Sequence, residues 1–187
     1  GFAYRTIIPI APLFVFLLLP NAETSGSSSY AGLVLSVSSV TTTIGTISLG
    51  WLGDKKGHRI VLIGSALAAM ICYIPQAFVT DIYQLLILQA LAGIGAGGVM
   101  SAPAALLANF TNLGDEGSVY GLDASVTSFS NGMAPLTGSI IAAIFGLRAA
   151  FMAAAIYYLM ILLIGFQFFP RPKSLDPKLT PRLVGGD

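Results

Sequence analysis

GWLGDKKGHR, residues 50–59, crowds Asp54, Lys55, Lys56 and Arg59 into one short break between two long apolar runs. Only 9% of the 187 residues are charged and 55% are hydrophobic, so this concentration of charge needs a cause. Water-soluble domains carry about a quarter charged residues, and a core of this size could not hide so much apolar surface. The chain reads as one that lives in a bilayer, with the break marking a turn at a membrane face.

Working outward from that turn, apolar stretches long enough to cross a hydrocarbon layer, which takes about 20 residues of helix, lie at about 4–20, 31–52, 60–79, 82–108, 118–145 and 149–169. Runs this continuous lack the alternation of a membrane barrel. The fold class expected is an all-α polytopic membrane protein, its bundle over residues 1–169 and a Pro-rich, charged cytoplasmic tail over 170–187. The first span should bend at Pro9 and Pro12. A polar outward link should run from Asn21 to Ser29, and short links at Thr80-Asp81 and Gly146 to Arg148 force antiparallel hairpins.

Positive charge near span ends is retained in the cytoplasm. Alternating spans put Arg5, Lys55, Lys56, Arg59, Arg171, Lys173, Lys178 and Arg182 on one face and leave Arg148 opposite, so both termini are expected inside. The chain opens on Gly1 rather than Met, which suggests a piece of a longer protein. A net charge of +1 gathered at one membrane face speaks against nucleic acid. Cys72 reads as a small apolar filler, and the acceptor pattern Asn109-Phe110-Thr111 falls on the inner side, away from glycosylation machinery.

The glycines of the break, Gly53 and Gly57, are expected to supply positive φ around a cluster in which Asp54 sits beside cations as an ionic latch. His58 is expected to face solvent. In the fourth span Gly93, Gly95 and Gly98 formally spell a dinucleotide fingerprint, but they lie inside an apolar span and not in the βαβ unit that such a site needs. Gly93 and Gly97, one turn apart, fit close helix packing instead, and Pro103 adds a bend. In the fifth span Pro135 removes a backbone donor among small residues that include Gly138. Asp123, just inside the inner edge, is the carboxylate placed within a span, and such residues have a partner or a function; an ion pair at an interface suits its depth. The second span carries hydroxyls from Ser36 to Ser48 that can bond neighbouring helices.

The pattern Gly50-x-Leu52-Gly53-Asp54-Lys55-x-Gly57-x-Arg59 resembles the signature that major facilitator superfamily transporters carry between the second and third helix of each half. Ser130-Asn131-Gly132 through Pro135 to Gly138 is similar to the glycine-proline pattern of the eleventh helix in multidrug efflux members, with Ser130 and Ala134 where glycine is commoner. The resemblance implies one six-helix half, built as a 3+3 inverted repeat, and the carboxy-terminal half of the drug/proton antiporter branch. By the same resemblance Gly50, Asp54, Lys55, Gly57 and Arg59 form a loop that locks one state by docking on the companion half. Gln89 stands where the family often has arginine, which speaks against proton coupling by this helix, and the lack of a carboxylate at mid-membrane places any proton carrier in the other half.

The function expected is export of a small lipophilic substrate by proton antiport in a bacterial-type plasma membrane. The cavity lining expected is Phe14, Phe16, Gln89, Met100 and Asn131. Uptake of a small organic solute and a non-transporting membrane scaffold are the alternatives. The partners expected are the complementary half, in the same polypeptide or a separate chain, and the lipid bilayer. No cofactor, metal or catalytic constellation is implied, so an enzyme is not expected.

Overall fold

The computed structural model describes residues 2–18, 24–111 and 114–168. All regular structure among them is helical: α1 Phe2–Ile7, α2 Ile10–Leu18, α3 Thr24–Lys56, α4 His58–Gln76, α5 Ile82–Phe110, α6 Glu116–Phe145 and α7 Leu147–Phe168. Counting α1 and α2 as arms of one interrupted rod, the bundle has six rods. The proposed tail at 170–187 lies outside the described residues.

Among the described residues four helices are long and apolar enough to cross a membrane by themselves, within α3, α4, α5 and α7. The other two rods fall short for different reasons. The first is interrupted at Ile8-Pro9, where proline lacks the N–H that would bond the carbonyl one turn back and its ring crowds that carbonyl. Pro12 is accommodated in the first turn of α2, where an N–H has no helical partner. α6 is unbroken but carries Ser, Thr, Asn and Gly through its middle, which lowers its hydropathy.

The helix borders correct two readings from sequence. α3 starts at Thr24, within the stretch read as a flexible link, because its serines continue the helix past the apolar segment. It also runs on through Gly53 to Lys56, so the charged break is a turn of one residue. Gly57 makes that turn with φ 95°, and its N–H donates to the Gly53 carbonyl at 2.8 Å. Gly53 itself is helical; positive φ is needed at Gly57 alone of the two. The α6–α7 turn is equally abrupt, resting on Gly146 at φ 90°, a region that costs an L-residue about 1–2 kcal/mol.

α5 lies at the centre, packed on α3 and on α4, while α4 also packs on α7. Aromatic pairs tie the outer rods: Phe14 of α2 meets Phe151 of α7 edge-on at 5.0 Å, and Tyr73 of α4 stacks on Tyr158 of α7 at 5.4 Å. Phe2 meets Tyr157, halfway along α7, at 5.4 Å. The Tyr4 hydroxyl is 3.2 Å from the Ser38 hydroxyl, near the middle of α3. α1 therefore begins at mid-height of the bundle, and Arg5 stands there as well, not at the inner rim where counting charges by span order had placed it.

Candidate functional site

One rim of the bundle is shaped by the end of α3 and the start of α4. His58 opens α4 and folds its ring back over Gly53, where a Cβ would collide with the imidazole. Its Nε2 lies 3.2 Å from Asp54 Oδ1, one helical turn earlier, and its Nδ1 is buried without a partner. The reading of His58 as a solvent-facing residue is thus overturned: its side chain is 10% exposed against 71% for Asp54. The reason is Gly53, whose missing side chain leaves the ring a bed.

Around this pair the cations point elsewhere. Lys55 stacks its ammonium 3.7 Å from the centroid of the exposed Trp51 ring, a favourable cation–π placement. Arg59 turns to α7 and donates from Nε to the Gly165 carbonyl at 3.4 Å and from Nη2 to the Phe166 carbonyl at 3.1 Å. Among the described residues Asp54–His58 is the one contact at salt-bridge distance, an ion pair when His58 is protonated. The structure therefore brings Asp54 to His58 rather than to Lys55, Lys56 or Arg59. Gly50 faces α5, where a Cβ would meet Ser101 at an ordinary 3.7 Å.

Small residues set the helix spacing at mid-height. A Cβ on Gly93 would run into Thr41 Oγ1 and stand 3.0 Å from the Ser38 carbonyl oxygen; one on Gly97 would stand 2.5 Å from the Thr46 nitrogen. Gly45 of α3 answers from the other side, against the backbone of Ile94. Gly95 and Gly98 do the same on the opposite face of α5, against Ser65 and Ala69 of α4. Gly138 of α6 rests on the backbone of Thr6 in α1. α5 continues through Pro103 and α6 through Pro135 without interruption.

The proposed cavity residues separate. Phe14 is fully buried against Phe151 and cannot line an open cavity, because the broken first rod turns that ring into the bundle. Phe16 is exposed. Gln89 is buried, its Nε2 3.5 Å from the Ser38 hydroxyl and its Oε1 unpartnered, so Tyr4, Ser38 and Gln89 link α1, α3 and α5. Met100 lines a cleft of about 310 Å³ with Phe2, Arg5, Pro103, Asp123 and Ser130. Asn131 is exposed on α6 beside it.

Asp123 stands two turns into α6 on an arm that is exposed from Gly121 to Phe129. Arg5 shares its cleft, a juxtaposition that sequence reasoning missed. Order along the chain gives the side of the membrane on which a charge starts, whereas height depends on which turn of which helix it meets. The Ser38 partner of Gln89 was similarly hidden in a hydroxyl series with no feature to single it out. The second glycine face was legible in principle, since Gly95 and Gly98 sit at i+2 and i+5 from Gly93.

Comparison with known proteins adds the family context. The family model described as Major Facilitator Superfamily matches residues 1–184. A protein named multidrug resistance protein MdtG from Rahnella sp. (strain Y9602) is 33% identical over 181 residues, covering 93% of this chain and 43% of its own length. The protein of that name from Enterobacter lignolyticus (strain SCF1) is also 33% identical over 181 residues, with 93% of this chain and 42% of its own length covered. The chain thus spans less than half the length of these relatives. Among solved structures, the crystal structure of an auto-inhibited POT family peptide transporter superposes with a TM-score of 0.70 at 17% identity, covering 92% of this chain and 37% of that one. This likeness shows the fold.

Proposed function

This chain belongs to the Major Facilitator Superfamily, and from that premise we propose that it is the carboxy-terminal half of an alternating-access transporter that exports small hydrophobic or amphiphilic compounds in exchange for protons. The chain is that of an integral membrane protein. The observation that carries the reading is the breadth of the similarity: relatives named for multidrug resistance match 93% of the chain.

The surface supports a companion half. α6 leaves Leu122, Val126 and Phe129 each more than half exposed, and α3 does the same with Val40, Ile44, Ile47 and Trp51. A bilayer or a second bundle can cover such stripes. The ionisable groups of α1 and α6 need water or a partner, and a companion bundle would enclose that cleft. In this reading Asp54, exposed and held by His58, presents its free carboxylate edge to the companion half in one state of the cycle. Asp123, which lines the same cleft as Arg5, forms an interface ion pair with a basic residue of the companion half. Met100, Asn131 and Ser130 replace Phe14 as lining, and both termini lie inside a bacterial-type plasma membrane.

The test uses the full-length transporter that contains this chain, reconstituted in vesicles with an imposed pH gradient and a lipophilic fluorescent cargo. Cargo movement that follows the gradient, collapses with a protonophore and is lost in Asp54→Asn at unchanged insertion is the expected result. Movement indifferent to the gradient would remove proton exchange. Accumulation on the opposite side would favour uptake, and no movement with stoichiometric co-purification of another membrane protein would favour a scaffold.

A further inference from the structure

Arg59 occupies the first turn of α4, yet it bonds the last turn of α7. Its two acceptors, the carbonyls of Gly165 and Phe166 at 3.4 and 3.1 Å, lie among the final carbonyls of Leu147–Phe168. Pro170, four residues after Phe166, has no N–H to bond that carbonyl within a helix, and the carboxy-terminal end of a helix carries about half a unit of negative charge from the aligned peptide dipoles. A guanidinium is permanently cationic and presents donors in a rigid fork, so it meets both requirements together.

The approach is built from the α7 side as well. At Gly165 a Cβ would stand 3.3 Å from Ile63 Cγ1, tighter than a comfortable carbon–carbon contact of about 3.5–4.0 Å. Glycine there lets α7 come close enough to α4 for the arginine to reach along it. The motif's carboxylate, Asp54, contacts His58 and not Arg59.

We infer that Arg59 is the carboxy-terminal cap of α7, a positioning residue that fastens the α3–α4 turn to the inner end of α7 so that the two move as one piece. It is thereby engaged inside this bundle, while Asp54, 71% exposed beside His58, keeps an outward edge for a companion. The consequence for transport rests on the function proposed above; the cap itself does not.

Hydrogen exchange measured by mass spectrometry on the full-length protein in lipid nanodiscs tests the cap directly. Arg59→Ala should speed exchange of the amides in 164–168 about tenfold, the scale of losing a charge-assisted bond, and Gly165→Leu should do the same by holding α7 off Ile63. Arg59→Lys, which restores the charge without the fork, should recover part of the protection. Lys56→Ala, one residue before the turn, should leave that segment unchanged. Exchange within twofold of wild type in both Arg59→Ala and Arg59→Gln would overturn the cap. Lost transport with that unchanged exchange would assign Arg59 to the companion half instead. A wild-type protein that moves no cargo would sink the transporter reading while the exchange result still decided the cap.

Discussion

Replacing Gly97 with alanine adds a single methyl group, and the structure gives the space it would need. The new Cβ would stand 2.5 Å from the Thr46 backbone nitrogen and 2.8 Å from the Gly45 carbonyl carbon, with the Thr42 carbonyl oxygen closer still. All three are backbone atoms, so no rotamer change relieves the clash. Reaching ordinary contact requires α3 and α5 to part by about 1 Å, and a gap of that size forfeits a quarter to a half of each affected dispersion contact. The Thr46 hydroxyl bond to the Gly97 carbonyl, already 3.4 Å long, would go with it. Overpacking costs about 1–3 kcal/mol, and an all-backbone clash belongs at the upper end. A domain of 150–250 residues loses about 2–4 °C in Tm per kcal/mol and a protein twice as long about half that, so the drop in the full-length protein should be about 2–6 °C. The assay is thermal unfolding of the full-length protein in detergent, followed by fluorescence-detected size exclusion. Gly64→Ala is the matched control, because nothing lies within 4 Å of a Cβ there; alanine at that helical position should be neutral or stabilising by about 0.5 kcal/mol. A Gly97→Ala protein melting within about 1 °C of wild type would refute the interlock of backbones on which the estimate rests.

Other expectations follow from the rim and the polar core. Gly53→Ala should destabilise the protein because its Cβ would stand 2.8 Å from His58 Cε1, and adding His58→Ala should restore stability, with a coupling of about 1 kcal/mol in a double-mutant cycle of unfolding. Gly57→Ala should cost about 1–2 kcal/mol in the same measurement, since a φ of 95° strains any side chain. Gln89→Leu should change stability by less than about 1 kcal/mol, because a 3.5 Å bond is lost together with a buried acceptor that has no partner; a larger loss would mean that Gln89 holds α1, α3 and α5 together.

Fold class was legible because it depends on length and hydropathy, which are properties of the sequence itself. The break at Pro9 was legible for the same reason, since proline acts on its own helix. What escaped were features that depend on the height at which two helices meet. Gly53 illustrates the difference: a glycine before a turn suggests positive φ, but here it is helical, and its absent side chain serves a ring five residues later. Phe14 illustrates it too. An aromatic in the middle of a first span can face a cavity or a core, and the rotation introduced by the break at Ile8-Pro9 decides which. Arg5 and Asp123 lie far apart in sequence, and their common cleft is visible only when α1 and α6 are placed side by side.

These contacts are not evenly spread through the bundle. α5 is interlocked on one face with α3 through Gly45, Gly93 and Gly97, and on the other with α4 through Gly95 and Gly98. α4 is joined to α7 by the Tyr73–Tyr158 stack, by Gly165 and by Arg59. Sliding α5 past α3 or α4 would drive backbone into backbone, and α7 is tied to α4 by side chains, so α3, α4, α5 and α7 behave as one frame. α6 is held differently, through the close contact of Gly138 with Thr6 and the single-residue turn at Gly146, while its amino-terminal arm stands clear of the frame. Its neighbour α1 is a six-residue helix joined to α2 through the break at Ile8-Pro9. Movement within this bundle therefore has its least resistance in α1 and α6, the two helices that carry Arg5 and Asp123 to the same cleft.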